Sequence, residues 1–229
     1  RSGKGIPVRK FVPAYEGNLR KHALSVPRCI SECSGIRVFG RRIKSLVFST
    51  DVAIIKNINA DAIIAVYPFT PQPAITQAII GVSEVPVFCG VGGGLTNGVR
   101  SASMAAYVEH QGAYGVVCNS KIGVETIHAI KDAVEIPVVY TVISENTDIQ
   151  PYLTAGVDII NVSGAARTPE IVGALRQRYP ELPIIATGGP TEESILATIR
   201  AGANAITYTP PSSASLFAKT MADNRSELE

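Results

Sequence analysis

From residue 45 onward the chain alternates short runs of Val, Ile and Ala with longer segments in which apolar positions recur every three or four residues. The runs fall at 45–49, 62–67, 86–90, 115–119, 137–143, 158–163, 183–187 and 205–209. They are too short for helices and rich in β-branched residues, so they read as buried strands. The segments between them, such as 168–179 and 191–201, combine helical apolar spacing with N-cap residues at the start and Gly near the end. Strands and helices in strict alternation predict parallel βα units.

The pattern also repeats over a longer period. NADAIIAVYP at 59, QGAYGVVCNS at 111, AGVDIINVSG at 155 and AGANAITYTP at 201 open the even-numbered strands. VPVFCG at 85, IPVVYT at 136 and LPIIAT at 182 open odd-numbered ones. Starts within each set lie 44 to 52 residues apart, so one period spans two βα units. Eight units in regular order predict a single (β/α)8 barrel over 45–229, preceded by an extension over 1–44 that belongs to the same domain. An open doubly wound sheet is the competing architecture. It lacks support because no strand is followed by a GxGxxG turn into a helix.

A parallel barrel carries its site at the C-terminal ends of its strands, and strand side chains alternate between faces. Taking Ile160 and Val162 as outward-facing turns Asn161 and Ser163 inward. The same parity gives an upper inner ring of Ser49, Tyr67, Cys89, Asn119, Thr141, Asn161, Thr187 and Thr209, with a slip of one residue possible on the third and fifth strands. The ring has no formal charge, and no Lys projects from a strand as a Schiff-base aldolase requires. Ionisable chemistry therefore falls to the loops: Asp51 after the first strand, Lys121 after the fourth and Glu145 after the fifth. Helix capping or plain solvation is the competing reading for each. Asn119 and Asn161 are candidate substrate ligands.

The loops add an anion-binding pattern. ATGGPTEES, at 186–194, ends a strand, passes through Gly188 and Gly189, and starts a helix. TPPSSAS, at 209–215, follows the eighth strand and offers Ser212 and Ser213 as caps of a short helix. Glycines let backbone approach a ligand, and free N–H groups at helix starts attract anions. Gly188, Gly189, Ser212 and Ser213 are the expected anion site. Arg167, in the loop after the sixth strand, is a further candidate for a carboxylate or phosphate. GVGGGLTNG at 90–98 reads as an anion nest or hinge. No Lys-Ser/Thr follows it, so it is not a nucleotide P-loop.

Composition narrows the picture. With 46% hydrophobic residues and no Trp, the 229-residue chain is an ordinary globular sequence. Residues 1–44 carry 11 Lys and Arg against 2 Asp and Glu, whereas 45–229 carry 10 against 17. A basic leader folding back on an acidic body, or on a neighbouring subunit, accounts for this and leaves homo-oligomerisation open. Within the leader, Phe11 and Tyr15 are expected to pack against the barrel, and 35–44 to form a hairpin or extended lead that plugs its bottom. Cys29, Cys33, Cys89 and Cys118 have no zinc spacing, and His110 and His128 lack metal partners at i+3 or i+4. No metal site and no disulfide is expected. No run reaches membrane-spanning length and no secretory signal pattern opens the chain, which predicts a cytoplasmic protein without a membrane partner.

On the segment IIATGGPTEESILATIRAGANAITYTP, 184–210, the chain resembles the aldolase-type, phosphate-binding TIM barrels. This stretch looks like the closing units of phosphosugar epimerases, tryptophan-pathway barrels and some FMN barrels. Through FVPAYEGNLRKHAL, VYPFTPQP, GVGGGLT and ATGGPTEESI the whole chain resembles a bacterial family labelled as hydrolases. The resemblance implies an enzyme acting on a small phosphorylated or otherwise anionic metabolite, as a lyase, isomerase or hydrolase. That family brings no catalytic residues with it, and no nucleophile–base pair stands out here. No cofactor is required. The alternatives are an FMN oxidoreductase, and a non-catalytic phospho-ligand sensor whose basic leader contacts protein or RNA. Nucleic acid is otherwise not an expected partner.

Overall fold

The computed structural model describes residues 10–15, 17 and 24–227. A 3-10 turn, Arg28–Glu32, leads into an antiparallel hairpin, β1 (Ile36–Val38) and β2 (Arg41–Ile43). Eight parallel strands follow: β3 (Ser45–Phe48), β4 (Ala62–Ala65), β5 (Val87–Gly92), β6 (Gly115–Cys118), β7 (Val138–Val142), β8 (Ile159–Val162), β9 (Ile184–Thr187) and β10 (Ala205–Tyr208). They close on themselves, with β10 paired to β3, into a TIM barrel. The helices between and after them are α1 (Val52–Asn57), α2 (Pro73–Val82), α3 (Val99–His110), α4 (Val124–Ala133), α5 (Gln150–Thr154), α6 (Thr168–Arg178), α7 (Glu192–Arg200) and α8 (Ser213–Ser226).

The strands that the sequence opens with proline begin one residue later than the apolar runs. Pro86, Pro137 and Pro183 cannot donate to the ladder, but their carbonyls accept from Ile63 (2.8 Å), Val116 (3.0 Å) and Ile160 (3.0 Å) of the preceding strands. Each proline thus joins the sheet by its acceptor alone.

Alternation along the strands produces two cores. Val47, Ile63, Cys89, Val116, Val138, Ile160, Ile184 and Ile206 face outward into the layer of helices. Leu46, Ile64, Phe88, Val117, Val139, Ile159 and Ile185 fill the barrel interior. The hairpin closes the bottom, adding Val38 and Ile43 to that inner cluster. Space there is tight. A Cβ at Gly115 would lie 2.5 Å from the Phe88 ring, so the bulk of Phe88 requires glycine opposite it.

The described part of the leader is held by apolar packing and by hydrogen bonds to carbonyls. Its 3-10 turn packs against α7 and buries Cys29, Ile30 and Cys33. Arg42 Nε and Lys44 Nζ donate to the carbonyls of Ser34 (2.7 Å) and Ser31 (2.5 Å) rather than to carboxylates. Phe11 and Tyr15 are 87% and 98% exposed, which corrects the expectation that they pack on the barrel. Residues 1–9, 16 and 18–23 of the leader lie outside the described residues. The last helix is not the short one expected: α8 runs 14 residues and buries none of them. All four cysteines are free and buried. Among the described residues no helix is long and apolar enough to cross a membrane.

Candidate active site at the barrel mouth

A cavity of about 950 Å³ opens at the C-terminal ends of the strands. Its two sides differ. From β6 to β10 the wall is an arc of neutral hydrogen-bonding side chains: Asn119, Thr141, Asn161, Thr187, Thr207 and Thr209. Across β3 and β4 it is apolar, with Phe48, Ile64 and Val66. On β5, Gly90 and Gly92 line the cavity with backbone alone. No lining residue carries a formal charge, and Tyr67 is the one with an ionisable side chain.

The inner ring read from the sequence holds on the polar side and fails in part on the other. Asn119, Thr141, Asn161, Thr187 and Thr209 line the cavity, as does Tyr67. Ser49 and Cys89 do not; Phe48 and Gly90 take their places. The parity assumed a polar inner face, but on β3 and β5 that face is apolar or glycine. Cys89 instead packs outward among the helices, where burial pushes its thiol up to about 12 and suits it poorly for nucleophilic work.

Two loops shape the rim. Residues 66–72, Val-Tyr-Pro-Phe-Thr-Pro-Gln, all line the cavity, and the Tyr67 hydroxyl accepts from Gln72 N at 2.8 Å, closing the loop on itself. Its two prolines limit the entropy lost on ordering it. The second loop follows β5. Gly93 N donates to Thr96 O at 2.8 Å, and Asn119 N to Gly92 O at 2.9 Å. At Gly93, φ is +111° and a Cβ would sit 2.3 Å from that of Asn119, so only glycine permits this approach. Asn119 is fixed in turn, its Oδ1 accepting from Ser120 Oγ and Lys121 N.

Within the polar arc, Asn161 Nδ2 donates to Thr141 Oγ1 at 3.3 Å across the β7–β8 register. Asn161 Oδ1 and Thr207 Oγ1 are buried without a hydrogen-bond partner. Leaving a buried polar group unpaired costs about 1–3 kcal/mol. Such groups mark where a ligand recovers energy once a side chain turns to meet it. The glycine loop at 90–98 reads from the sequence as an anion nest or hinge, whereas the closure of 66–72 and the two orphaned atoms do not follow from sequence spacing. The signal available was positional: VYPFTPQP and GVGGGLT each begin at the C-terminal end of a strand.

The three ionisable candidates occupy the rim outside this lining. Asp51 caps α1: its Oδ1 accepts from Ala53 N (3.1 Å) and Ile54 N (3.3 Å), and its Oδ2 from Ser213 N (2.9 Å) at the start of α8. The Ser213 N–H is the main cause holding this carboxyl below its ordinary range. Glu145 pairs with the Arg167 guanidinium, which also reaches Glu170 at 3.1 Å. The side chain of Lys121 is exposed, beside cavity-lining Asn119 and Ser120, and joins no ion pair among the described residues.

Removing the Asp51 cap tests the first of these arrangements. Asp51→Ala is expected to lower stability at neutral pH by about 1–2 kcal/mol in urea denaturation. Because the folded-state pKa is depressed, this contribution is present above the ordinary carboxyl range. The gap to wild type should close as pH falls through the folded value.

At the expected anion site, several N–H groups are already engaged. Gly188 N donates to Thr207 O at 3.2 Å, and Ser213 N to Asp51. A capping box closes α7, with Ser194 N on Thr191 Oγ1 and Thr191 N on Ser194 Oγ, and its first turn carries Glu192 and Glu193. Ser212 caps α8 through Ser215 N at 3.1 Å. The loops after β9 and β10 are brought side by side, with the N–H groups of Gly188 and Ser213 engaged within the chain.

No family model and no curated protein matches this sequence. Solved structures match the fold. A phosphonomutase-type protein from Burkholderia cenocepacia J2315 has a TM-score of 0.62 at 18% identity, over 81% of this chain and 92% of that one. Phosphonopyruvate hydrolase, solved with oxalate and Mg²⁺, has 0.61 at 16%, over 82% of each. Mandelate oxidase, solved with 3,3-difluoro-2-hydroxy-3-phenylpropionic acid and elsewhere with an FMN adduct, has 0.58 at 14%, over 77% and 68%. At these identities the likeness establishes the fold.

The residues present do not fit the groups named with those proteins. Mg²⁺ needs oxygen ligands, usually carboxylates. The cavity lining has none, and among the described residues no three His, Cys, Asp or Glu converge. The cavity has room for a ring system, but a flavin phosphate at α7 would meet Glu192, Glu193 and a closed capping box.

Proposed function

We propose that the protein is an enzyme that takes a small organic acid into the barrel mouth, as a lyase, isomerase or hydrolase. One observation carries this reading: a cavity wall of neutral hydrogen-bonding side chains in which the Thr207 hydroxyl is buried without a partner and free to donate to an acid, while the unpartnered Asn161 Oδ1 accepts from a hydroxyl of the same ligand. The acid group is taken at the ends of β9 and β10 by the hydroxyls of Thr187, Thr207 and Thr209, next to the loops at Gly188 and Ser212. Neutral donors in a partly dehydrated site bind anions without an opposing buried charge. The named ligands of the structural neighbours, oxalate and a 2-hydroxy acid, support an acid as the substrate class.

Lys121, on the loop after β6 and so across the mouth from β10, is the ionisable group assigned to exchange a proton at the rim. Asp51 and Glu145, each already hydrogen-bonded, hold the loops that frame the mouth, and Arg167 neutralises Glu145. The test is calorimetry and proton NMR of the full chain with phosphonopyruvate, 2-hydroxy acids and their primary amides. Lys121→Met is expected to slow turnover by about 10²–10⁴-fold, as for loss of a general acid–base group, and to leave acid affinity unchanged. Equal affinity for acids and amides, or turnover unaltered by the substitution, contradicts the reading.

A sensor without catalysis is the second reading. It is favoured by the scarcity of ionisable side chains in the lining, where Tyr67 is already engaged by Gln72. Saturable binding with no turnover of any acid would select it.

A further inference from the structure

The geometry points to an acid that carries an extended apolar group, alkyl or aromatic, laid against the β3–β4 side of the mouth. This rests on the acid reading and adds the other half of the ligand. A cavity of about 950 Å³ lies near the top of the range for pockets that bury drug-sized ligands, roughly 300–1,000 Å³. An acid of oxalate size covers only a small part of it. The side facing the Thr and Asn arc is built from Phe48, Ile64 and Val66, and Phe69, Leu95 and Ile143 continue it to the rim.

Those rim positions are costly to leave bare. Phe69 is 72% exposed, Leu95 97%, Ile143 56% and Phe48 41%. Apolar surface clustered around an opening marks a binding site, whereas scattered exposed residues do not. The Phe69 loop is closed by its own hydrogen bond and Leu95 sits on the tight Gly93–Thr96 turn, so both are held at the mouth before any ligand arrives. A purely polar acid would leave this surface wet. An acid with a hydrophobic body satisfies both sides of the cavity at once.

The experiment is calorimetry of the full chain with 2-hydroxybutyrate, 2-hydroxyhexanoate and 2-hydroxyoctanoate, and with 1-alkanols of matching length. Affinity for the acids should rise by about two- to fourfold per added methylene, since burying one is worth about 0.8 kcal/mol. The double variant Phe69→Ser, Leu95→Ser changes only exposed residues. It should lose about tenfold on the longest acid and nothing on the shortest.

Acids that bind without a length dependence overturn the apolar half and leave the proposed function standing. Alkanols that bind with a length dependence while no acid binds do the reverse. Failure of both series overturns both. If the double variant instead dissociates a dimer, with no length dependence in either series, the collar belongs to a second copy of the chain and the inference is wrong.

Discussion

Thr207→Val is expected to make the protein more stable and its ligand weaker-binding in the same step. Thr207 is 7% exposed and its Oγ1 has no partner. Valine has nearly the same shape and removes a buried hydroxyl that gains nothing from the fold. Replacing such a group with an apolar one of equal shape is neutral or stabilising. A gain of up to about 1 kcal/mol, or a Tm rise of about 2–4 °C, is expected. Affinity for the acid should fall about tenfold, the value of one hydrogen bond to a charged group at the low end of its range. A hydroxyl with a structural role would give the opposite pair of results. A loss of more than about 1 kcal/mol with unchanged affinity would remove Thr207 from the site.

Phe88→Ala should produce the largest loss of stability, about 3–5 kcal/mol. Phe88 is 1% exposed and sits inside the barrel below the mouth, between Ile64 on β4 and Gly115 on β6. Its removal leaves a void that the closed ring of strands cannot collapse around. The partner substitution sharpens the test. Gly115→Ala places a methyl 2.5 Å from the Phe88 ring and should destabilise on its own. In the Phe88→Ala background the same methyl enters empty space and should cost little or become favourable. Urea denaturation of the four proteins gives the coupling directly. Additive losses would mean that the ring does not fill the space opposite Gly115.

Much of this architecture was legible from the chain alone because parallel strands buried on both faces announce themselves as Val and Ile runs. The runs at 45, 62, 115 and 205 begin where β3, β4, β6 and β10 begin. Those led by Pro86, Pro137 and Pro183 were read one residue early, since a proline in the sheet by its carbonyl alone does not extend the strand. On the polar side of the mouth, Asn119, Thr141, Asn161, Thr187 and Thr209 were legible because a polar residue among apolar ones identifies the face. Ser49 and Cys89 were misplaced for the complementary reason. On β3 and β5 the inner face is Phe48 and Gly90, and nothing in a run of apolar and small residues says which face is in.

Occupancy of the loops was beyond sequence reasoning altogether. Gly188 and Ser213 stand where an anion would be expected. That Asp51, 162 positions away, fills the start of α8 depends on ring closure. The same holds for Glu145 and Arg167, which read as two separate candidates and stand as one ion pair.

The account depends most on where the ligand sits. A crystal structure of the full chain soaked with 2-hydroxyhexanoate decides it. The carboxylate is predicted within hydrogen-bond distance of the Thr187, Thr207 and Thr209 hydroxyls, with the 2-hydroxyl donating to Asn161 Oδ1 and the alkyl chain against Ile64 and Val66. Density for the acid at the starts of α7 and α8, or outside the barrel with the mouth unchanged, would contradict it.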